Sequence, residues 1–407
     1  MIGMAEDRVR APRALVGVTG CIAAYKACEV VRGLQKAGCE VRVAMTEAAT
    51  AFVGPLTFEA LTGRPVLVDL EAFPDTPIGH VELAEWADLV LVCPATADVL
   101  AKAVAGVADD ALTSTLVAAW DHVAFAPAMN VHMWRNPATQ ANVATLRERG
   151  AHLVMPATGR LACGDVGEGK LADVEEVVDY ALRLLARAVV PQRLAGRRVV
   201  VTAGPTHEAI DPVRYVANRS SGKMGYAVAR AARDSGAEVT LVTGPSALRA
   251  PAGCEVVRVT SAREMLEAST SAFEGADAAV CAAAVADYTP AAPADHKLKK
   301  DAERLDVLEM RETADVLATL SAAKGGRVVV GFAAETGDPV AAARSKLERK
   351  GCDLIVANDV SRADSGFGTD TDAVTFVGPD GASEHPCLPK NEVARLIVGR
   401  VADLLGA

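Results

Sequence analysis

The chain has 407 residues, 51% of them hydrophobic and 23% charged, which fits two globular domains and excludes a disordered chain. A net charge of −10 excludes general nucleic-acid binding, which needs a basic face, but leaves room for a local basic pocket that takes a phosphorylated small molecule. No window reaches the run of about 18 apolar residues that spans a membrane, and nine cysteines without CxxC pairs or disulfide-like spacing read as a reduced, cytoplasmic complement.

Residues 1–13, MIGMAEDRVRAPR, carry charges and no apolar core, and are expected to form a short disordered lead. A strand is predicted over ALVGVTG, a helix over residues 23–37 and a second strand over CEVRVAMT. ADLVLVCPAT, HVAFAPAMN and AHLVMPA read as further strands, and DVEEVVDYALRLLARAV as an amphipathic closing helix. Short apolar strands between helical runs, in a chain rich in Ala, Val and Gly, predict a parallel sheet under close-packed helices. The polar, basic stretch VVPQRLAGR marks a break, read as a linker over 189–196 between domains 14–188 and 197–407. The phrase then restarts with RRVVVTAGPT, followed by helix and strand in SGKMGYAVARAARDSGAEVTLVTGP. DAAVCAAAVADY, RVVVGFAAET and CDLIVAND are three more predicted strands. The expected fold class is α/β, with two doubly wound, Rossmann-like three-layer domains. Ligands bind such sheets at the carboxyl ends of the strands.

Three turns after strands in the first half are small and bear hydroxyl or backbone donors: residues 18–23 (VTGCIA), 45–49 (MTEAA) and 93–98 (CPATAD). Each fits either a phosphate-binding helix start or an ordinary helix cap. His80 follows the Pro/Gly-rich FPDTPIGH. Asn130 sits in PAMNVHMW, where a Pro, an amide, two Met and a Trp directly follow a strand. Cys163 sits in LACGDVGEGK, whose glycines suit a flexible lid carrying a thiol.

GVTGCIAAYKA, His80, PAMNVHMW and ACGDVGEGK together resemble the flavin-containing cysteine decarboxylases, and among them phosphopantothenoylcysteine decarboxylase, over residues 14–185. The resemblance implies a flavodoxin-like domain that binds FMN, with Gly20, Ile22, Thr46, Thr96 and Met129 against the flavin. It implies that His80 acts as a base in the oxidative decarboxylation, that Asn130 holds the substrate carboxylate, and that Cys163 returns a proton during reduction of the enethiol. The flavin oxidises the substrate thiol, CO2 leaves, and the electrons return. The lid carries Lys170 where the family implies an arginine. A lysine keeps the charge but loses the bidentate fork.

In the second half, GPTHE leads into DPVRYVANRSSGKMG, whose hydroxyls, glycines, cations and amide at a helix start fit a phosphate or acyl-phosphate cradle, although no Ser or Thr follows Lys223 as a Walker A motif requires. The HKLKK run after AAAVADY fits a solvated surface or a triphosphate partner, and Lys346 and Lys350 share one helix face. These motifs, with GFAAET and KLERKGCDLIVAND, resemble phosphopantothenate–cysteine ligase over 196–405, and the bacterial bifunctional enzyme carries the two domains in this order.

The resemblance implies activation of 4′-phosphopantothenate by CTP to an acyl-cytidylate, then displacement of CMP by the cysteine amine. Asn218 is implied at the acyl intermediate and Lys297 in its conversion. Cys281, Ala282, Ala283, Asp287, Lys297, Ala314, Asp315, Val316, Leu317, Phe332, Lys346 and Lys350 are implied at the nucleotide. Mg2+ (or Mn2+) is implied through phosphate oxygens and waters, with no dedicated protein metal ligands. A homo-oligomer is also implied, from decarboxylase trimers and ligase dimers to a dodecamer. Two other classes stay in view. A nicotinamide-dependent oxidoreductase is disfavoured by the lack of GxGxxG, and a non-enzymatic flavin-binding subunit by the presence of His80, Asn130 and Cys163 together.

Overall fold

The computed structural model describes residues 10–70, 78–160, 164, 166–299, 307–335, 339–362, 364–366 and 368–407. The chain divides into two compact units, Met1–Val190 and Pro191–Ala407.

The first unit is built on five parallel strands, in the spatial order Glu40–Met45, Arg13–Val18, Leu89–Ala95, Val123–Pro127 and His152–Leu153. Numbered along the chain, this order is 2-1-3-4-5, the flavodoxin-like arrangement, which reverses between the first and third strands. Alternation along the strands feeds two cores. Ala14, Val16 and Val18 pack into the layer that holds Lys26–Lys36 and Val174–Val189, whereas Leu15, Val90 and Val92 pack into the layer on the opposite face. Each such valine or leucine side chain, buried in full, stabilises the unit by about 1.5–3 kcal/mol.

The second unit holds an eight-stranded sheet. Its order is Glu255–Arg258, Glu238–Thr243, Arg198–Ala203, Ala278–Cys281, Val328–Glu335, Leu354–Asp359, Val374–Gly378 and Gly381–Glu384. The first six strands are parallel and run 3-2-1-4-5-6, the dinucleotide-fold order, and the last two are antiparallel edge strands. Val199, Val201 and Ala203 face one helical layer and Val200 the other, so this unit also has three layers.

Several local expectations change. Arg10 and Arg13, placed in a disordered lead, are held by Asp88, whose carboxylate accepts from the Arg10 guanidinium and, at 2.8 Å, from Arg13 N–H. In the expected linker, Val189 ends a helix, and Leu194 is buried in the second unit's core with its N–H on Ser235 O at 2.8 Å. A leucine among charges is enough to dock the segment. The predicted strand over AHLVMPA shortens to His152–Leu153. The flexible lid is partly a hairpin, Ala157–Arg160 against Val166–Lys170. DAAVCAAAVADY breaks after the strand Ala278–Cys281, and its last residue opens a second strand, Tyr288–Pro290, that pairs with Met310–Glu312.

Candidate functional site

In the first unit, the reversal of strand order opens a cleft of about 1180 Å3 at the carboxyl ends of the strands. All five residues matched to the flavin, Gly20, Ile22, Thr46, Thr96 and Met129, line it, and so do Asn130 and Lys170. The three hydroxyl-bearing turns are tied together. Thr19 Oγ1 donates to Pro94 O at 2.7 Å and accepts from Thr96 N–H at 3.1 Å, and Thr46 N–H reaches Val18 O at 3.1 Å. Gly20 lies so close to the second turn that a Cβ there would meet Ala48 backbone atoms at 2.8–2.9 Å. Thr96 caps the helix Ala97–Ala105 through Val99 N–H.

Thr46 precedes the short helix Glu47–Thr50 without capping it, and its buried Oγ1 has no hydrogen-bond partner among the described residues. A buried hydroxyl is normally satisfied. Its position in a cleft formed by helix starts fits a phosphate-bearing cofactor such as FMN.

The far wall of the cleft is a joint between the Asn130 loop and the hairpin. Met129 N–H donates to Gly169 O at 2.9 Å, and at Gly169, with φ +127°, a Cβ would lie 2.5 Å from Met129 O. Asn130 starts the Val131–Arg135 helix, with its Oδ1 accepting from His132 N–H at 2.8 Å. Cys163 lies outside the described residues. His80 does not line this cleft. It sits half-buried at the start of the helix Gly79–Trp86, and its Nδ1 is buried without a partner among the described residues. Ile22, Tyr25 and Met133, all at the cleft, expose 48–61% of their surface.

In the second unit the reversal lies between Arg198–Ala203 and Ala278–Cys281. The loops leaving these strands lace across it. Ala284 N–H donates to Gly204 O at 2.9 Å, Ala283 N–H to Thr202 Oγ1 at 3.2 Å and Ala286 N–H to Thr206 Oγ1 at 3.0 Å. Asn218 reaches over this crossing, donating from Nδ2 to Ala284 O at 3.2 Å and Val285 O at 3.0 Å. It borders a cleft of about 440 Å3 with Ser220, Ser221, Ser246 and the stacked rings of His207 and Tyr215, 3.8 Å apart. Gly222, at φ +83°, precedes the helix Lys223–Asp234. Of the two cations read into this cradle, Lys223 is engaged elsewhere, with its ammonium on Gly368 O and Asp370 Oδ1, both at 2.7 Å.

Of the nucleotide-matching residues, Asp287, Asp315, Phe332, Lys346 and Lys350 come together. Asp315 caps the helix Val316–Ala322 through Ala318 N–H at 2.8 Å and pairs with Lys350. Lys346 Nζ donates to Phe332 O at 2.8 Å. Asp287 O accepts from Thr313 N–H, one residue before Ala314. At Gly331 a Cβ would meet Leu317 at 2.5 Å, so the glycine lets the helix close on the strand. Burial pushes the Lys346 ammonium down, against the upward pull of Glu335, Asp315 and Asp287. Burial also raises Asp315, but Lys350 and the Ala318 N–H more than offset this and hold the carboxyl below its ordinary value. The Cys281 thiol is pushed up to about 12 by burial, so it packs as a neutral group beside Ala282 and Ala283. Among the described residues no group of three or more His, Cys, Asp or Glu is placed to hold a metal ion.

Lys297 is exposed. Its neighbour Leu298 is pinned on both sides, with its N–H on Asp211 Oδ2 at 3.2 Å and its O accepting from Arg214 Nη2 at 3.0 Å. Asp211 is buried and also accepts from Val213 and Arg214 N–H, both at 2.8 Å, and from the Arg214 guanidinium. The sequence shows Asp211 and Arg214 only as two charges in an aperiodic loop. Their hold on a segment more than 80 residues away exists only in three dimensions.

Arg214 first, then the three N–H donors, hold the Asp211 carboxyl well below its ordinary value of 3.8, against burial. A depressed carboxylate stabilises the fold above the unfolded value, and this contribution is lost as pH falls through the folded value. Asp211→Asn is therefore expected to lower the Tm of the second unit at pH 7. The gap to wild type should shrink as pH falls below about 4, the unfolded carboxylate range. A gap of constant size down to pH 2 in thermal melts would contradict this account.

Comparison with known proteins matches both halves. Residues 3–186 fit the family model described as Flavoprotein, and residues 194–405 that described as DNA/pantothenate metabolism flavoprotein C-terminal domain. The chain is 51% identical over 389 residues to the coenzyme A biosynthesis bifunctional protein CoaBC of Mycobacterium tuberculosis, covering 92% of each. It is 46% identical over 394 residues to the protein of that name from Bacillus subtilis, covering 96% of each. Among solved structures, the C-terminal domain of a CoaBC protein aligns at 42% identity, over 53% of this chain and 98% of that one, with a TM-score of 0.46. The FMN-dependent cysteine decarboxylase SpaF aligns at 39% identity, over 43% and 97%, with a TM-score of 0.39. No described helix is long and apolar enough to cross a membrane.

Proposed function

The chain belongs to the family of coenzyme A biosynthesis bifunctional proteins, and from that premise we propose that its second unit joins 4′-phosphopantothenate to cysteine at the expense of CTP and its first unit decarboxylates the product to 4′-phosphopantetheine. The observation that carries this reading is likeness along the whole chain to bifunctional relatives, with a separate cleft at the strand-order reversal of each unit.

In the first unit, the turns bearing Gly20, Thr46 and Thr96 would hold the FMN phosphate and ribityl chain, and the buried Thr46 hydroxyl would donate to them. Bound flavin supplies the two-electron oxidation of the substrate thiol and its reversal after CO2 loss. Asn130 orients the carboxylate, and Cys163 supplies a proton to the enethiolate carbon. His80, away from the cleft of its own chain, serves as base in the cleft of a neighbouring copy. The exposed Ile22, Tyr25 and Met133 supply apolar surface for that association.

In the second unit, Lys346, Lys350 and the Asp315-capped helix receive the nucleotide. Asn218 orients the acyl group, and Lys297 neutralises charge as the cysteine nitrogen attacks and CMP departs. Mg2+ enters with the phosphates. The enzyme works in the cytoplasm as a homo-oligomer of decarboxylase trimers and ligase dimers.

A coupled assay with phosphopantothenate, cysteine, Mg2+ and either CTP or ATP tests the reading. CTP should drive release of both pyrophosphate and CO2. Pyrophosphate without CO2 would remove the decarboxylase half, and turnover with ATP alone would remove the CTP assignment. Cys163→Ser should stop formation of reduced product and leave pyrophosphate release intact, as read by mass spectrometry of the accumulated enethiol. Loss of both activities would contradict two independent sites.

A further inference from the structure

Two helices of the second unit begin with a lysine. Lys223 opens the helix Lys223–Asp234, Lys390 opens the helix Lys390–Leu404, and the two helices share one core. A cation at a helix start opposes the helix dipole. Both ammoniums reach the same loop, whose acceptors offset that repulsion. Lys223 Nζ donates to Gly368 O and Asp370 Oδ1, and Lys390 Nζ to Gly366 O and Thr369 O, all four at 2.7 Å. Lys390 is buried, and its backbone N–H donates to Asp370 O at 2.9 Å. Asp372, a buried carboxylate, fixes the loop from a third side. It accepts from Ser365 Oγ at 2.6 Å, from Gly366 N–H at 3.2 Å, and from Asn358 Nδ2 at 3.1 Å, at the carboxyl end of the strand Leu354–Asp359.

We infer that this loop is a buckle that fixes the start of the Lys223 helix for ligation, and that Lys223 and Asp370 are positioning residues that touch no substrate. The inference rests on the ligase reading above and adds to it the tie that holds the acyl-binding segment in place.

That segment has no apolar anchor. From Asn218 to Gly222 every side chain is polar or absent, so hydrophobic burial does not place it. Asn218, Ser220 and Ser221 line the second-unit cleft, whereas Lys223, directly after them, does not. Asn218 ties one end to Ala284 O and Val285 O, and Ser246 Oγ donates to Ser221 O at 3.0 Å. The Lys223 ammonium ties the other end to the buckle. Asn218 turns to the acyl group during the reaction, so the far end must be held independently of it. Attack of a carboxylate on the CTP α-phosphorus needs its reacting groups placed closely, and a displacement of about 1 Å costs about 100-fold in rate.

The test follows CTP-driven pyrophosphate release by the full-length enzyme with 4′-phosphopantothenate, cysteine and Mg2+, beside CO2 release from supplied 4′-phosphopantothenoylcysteine. Lys223→Met should lower the ligase kcat by about 10- to 100-fold. KM for 4′-phosphopantothenate and for CTP, and the rate of CO2 release, should not change. Lys223→Arg still reaches a carbonyl and a carboxylate, and should recover most of the loss. Asp370→Ala removes an exposed carboxylate and leaves Gly368 O in place, so its effect on kcat should be smaller and in the same direction. The double variant should be no slower than Lys223→Met alone, because both residues act through one tie. A raised KM for either substrate with kcat intact would place the Lys223 ammonium on that substrate and overturn the buckle. Additive losses in the double variant would do the same. So would a wild-type kcat in Lys223→Met with only a lower Tm, the signature of a tie that serves the fold alone. Wild-type protein that releases no pyrophosphate with CTP would instead remove the ligase reading beneath the inference.

Discussion

Lys297→Gln is expected to slow amide formation by about 100- to 1,000-fold, the loss that follows when one fixed donor is taken from developing negative charge, while CO2 release from 4′-phosphopantothenoylcysteine continues at the wild-type rate. The side chain is exposed, so the substitution leaves no cavity and no buried group without a partner. The backbone next to it is clamped by Asp211 and Arg214, so the loop keeps its path and only the charge is removed. Glutamine keeps hydrogen-bonding capacity but cannot neutralise an oxyanion. The measurement is incorporation of labelled cysteine beside a decarboxylation assay on supplied intermediate. Unchanged incorporation would dismiss Lys297 from the reaction, and parallel loss of CO2 release would indicate general damage.

The second large effect is expected at Gly20. Its backbone φ is not in the left-handed region, so conformation alone does not demand glycine. Proximity does, because an alanine Cβ would lie 2.6 Å from Ala48 Cβ and 2.8 Å from its carbonyl carbon. Backbone cannot swing aside as a side-chain tip can, so the first and second turns must part, at a cost of about 1–3 kcal/mol. These turns form the floor of the cleft, and the Thr46 hydroxyl moves with them. Gly20→Ala should therefore weaken flavin retention by about tenfold or more, each factor of ten being about 1.4 kcal/mol, and decarboxylation with it, while ligation persists. Absorbance of the purified variant near the flavin bands, read per chain, decides it. Full flavin occupancy would show that the turns tolerate the methyl group.

Much of the fold was legible in the chain because both units repeat one phrase. Apolar strands such as ALVGV and RVVVT are buried on both faces, and a sheet covered by helices on both sides needs just that pattern. The turns that follow them were legible as ligand-facing because strand direction fixes where a parallel sheet exposes its carboxyl ends. Gly20, Thr46, Thr96 and Met129, far apart in sequence, meet in one cleft for that reason.

Other features carry no local signature. The antiparallel edge of the second sheet, Val374–Gly378 and Gly381–Glu384, follows no periodicity that separates it from a loop, and the second of these strands is fully exposed. His80 reads equally well in sequence as a site residue or a surface one. Only its helix position shows that it does not face the cleft of its own chain. Lys223 looked like a phosphate ligand by spacing, but a loop almost 150 residues later takes its ammonium.

The sequence by itself determined two α/β units, the order of their strands and helices, and the turns at which small molecules meet them, since these follow from hydrophobic period and chain direction. Tertiary structure alone decided which charges act. Asp211 holds the Lys297 loop, Asp315 holds Lys350, and Lys170 lies back along its hairpin over Gly159 while Lys102 is neutralised by Asp98 and Asp109. The physical reason is range. Hydrophobic periodicity is written in neighbours three or four residues apart, whereas the partner of a charge is set by how distant loops come together over the end of the sheet.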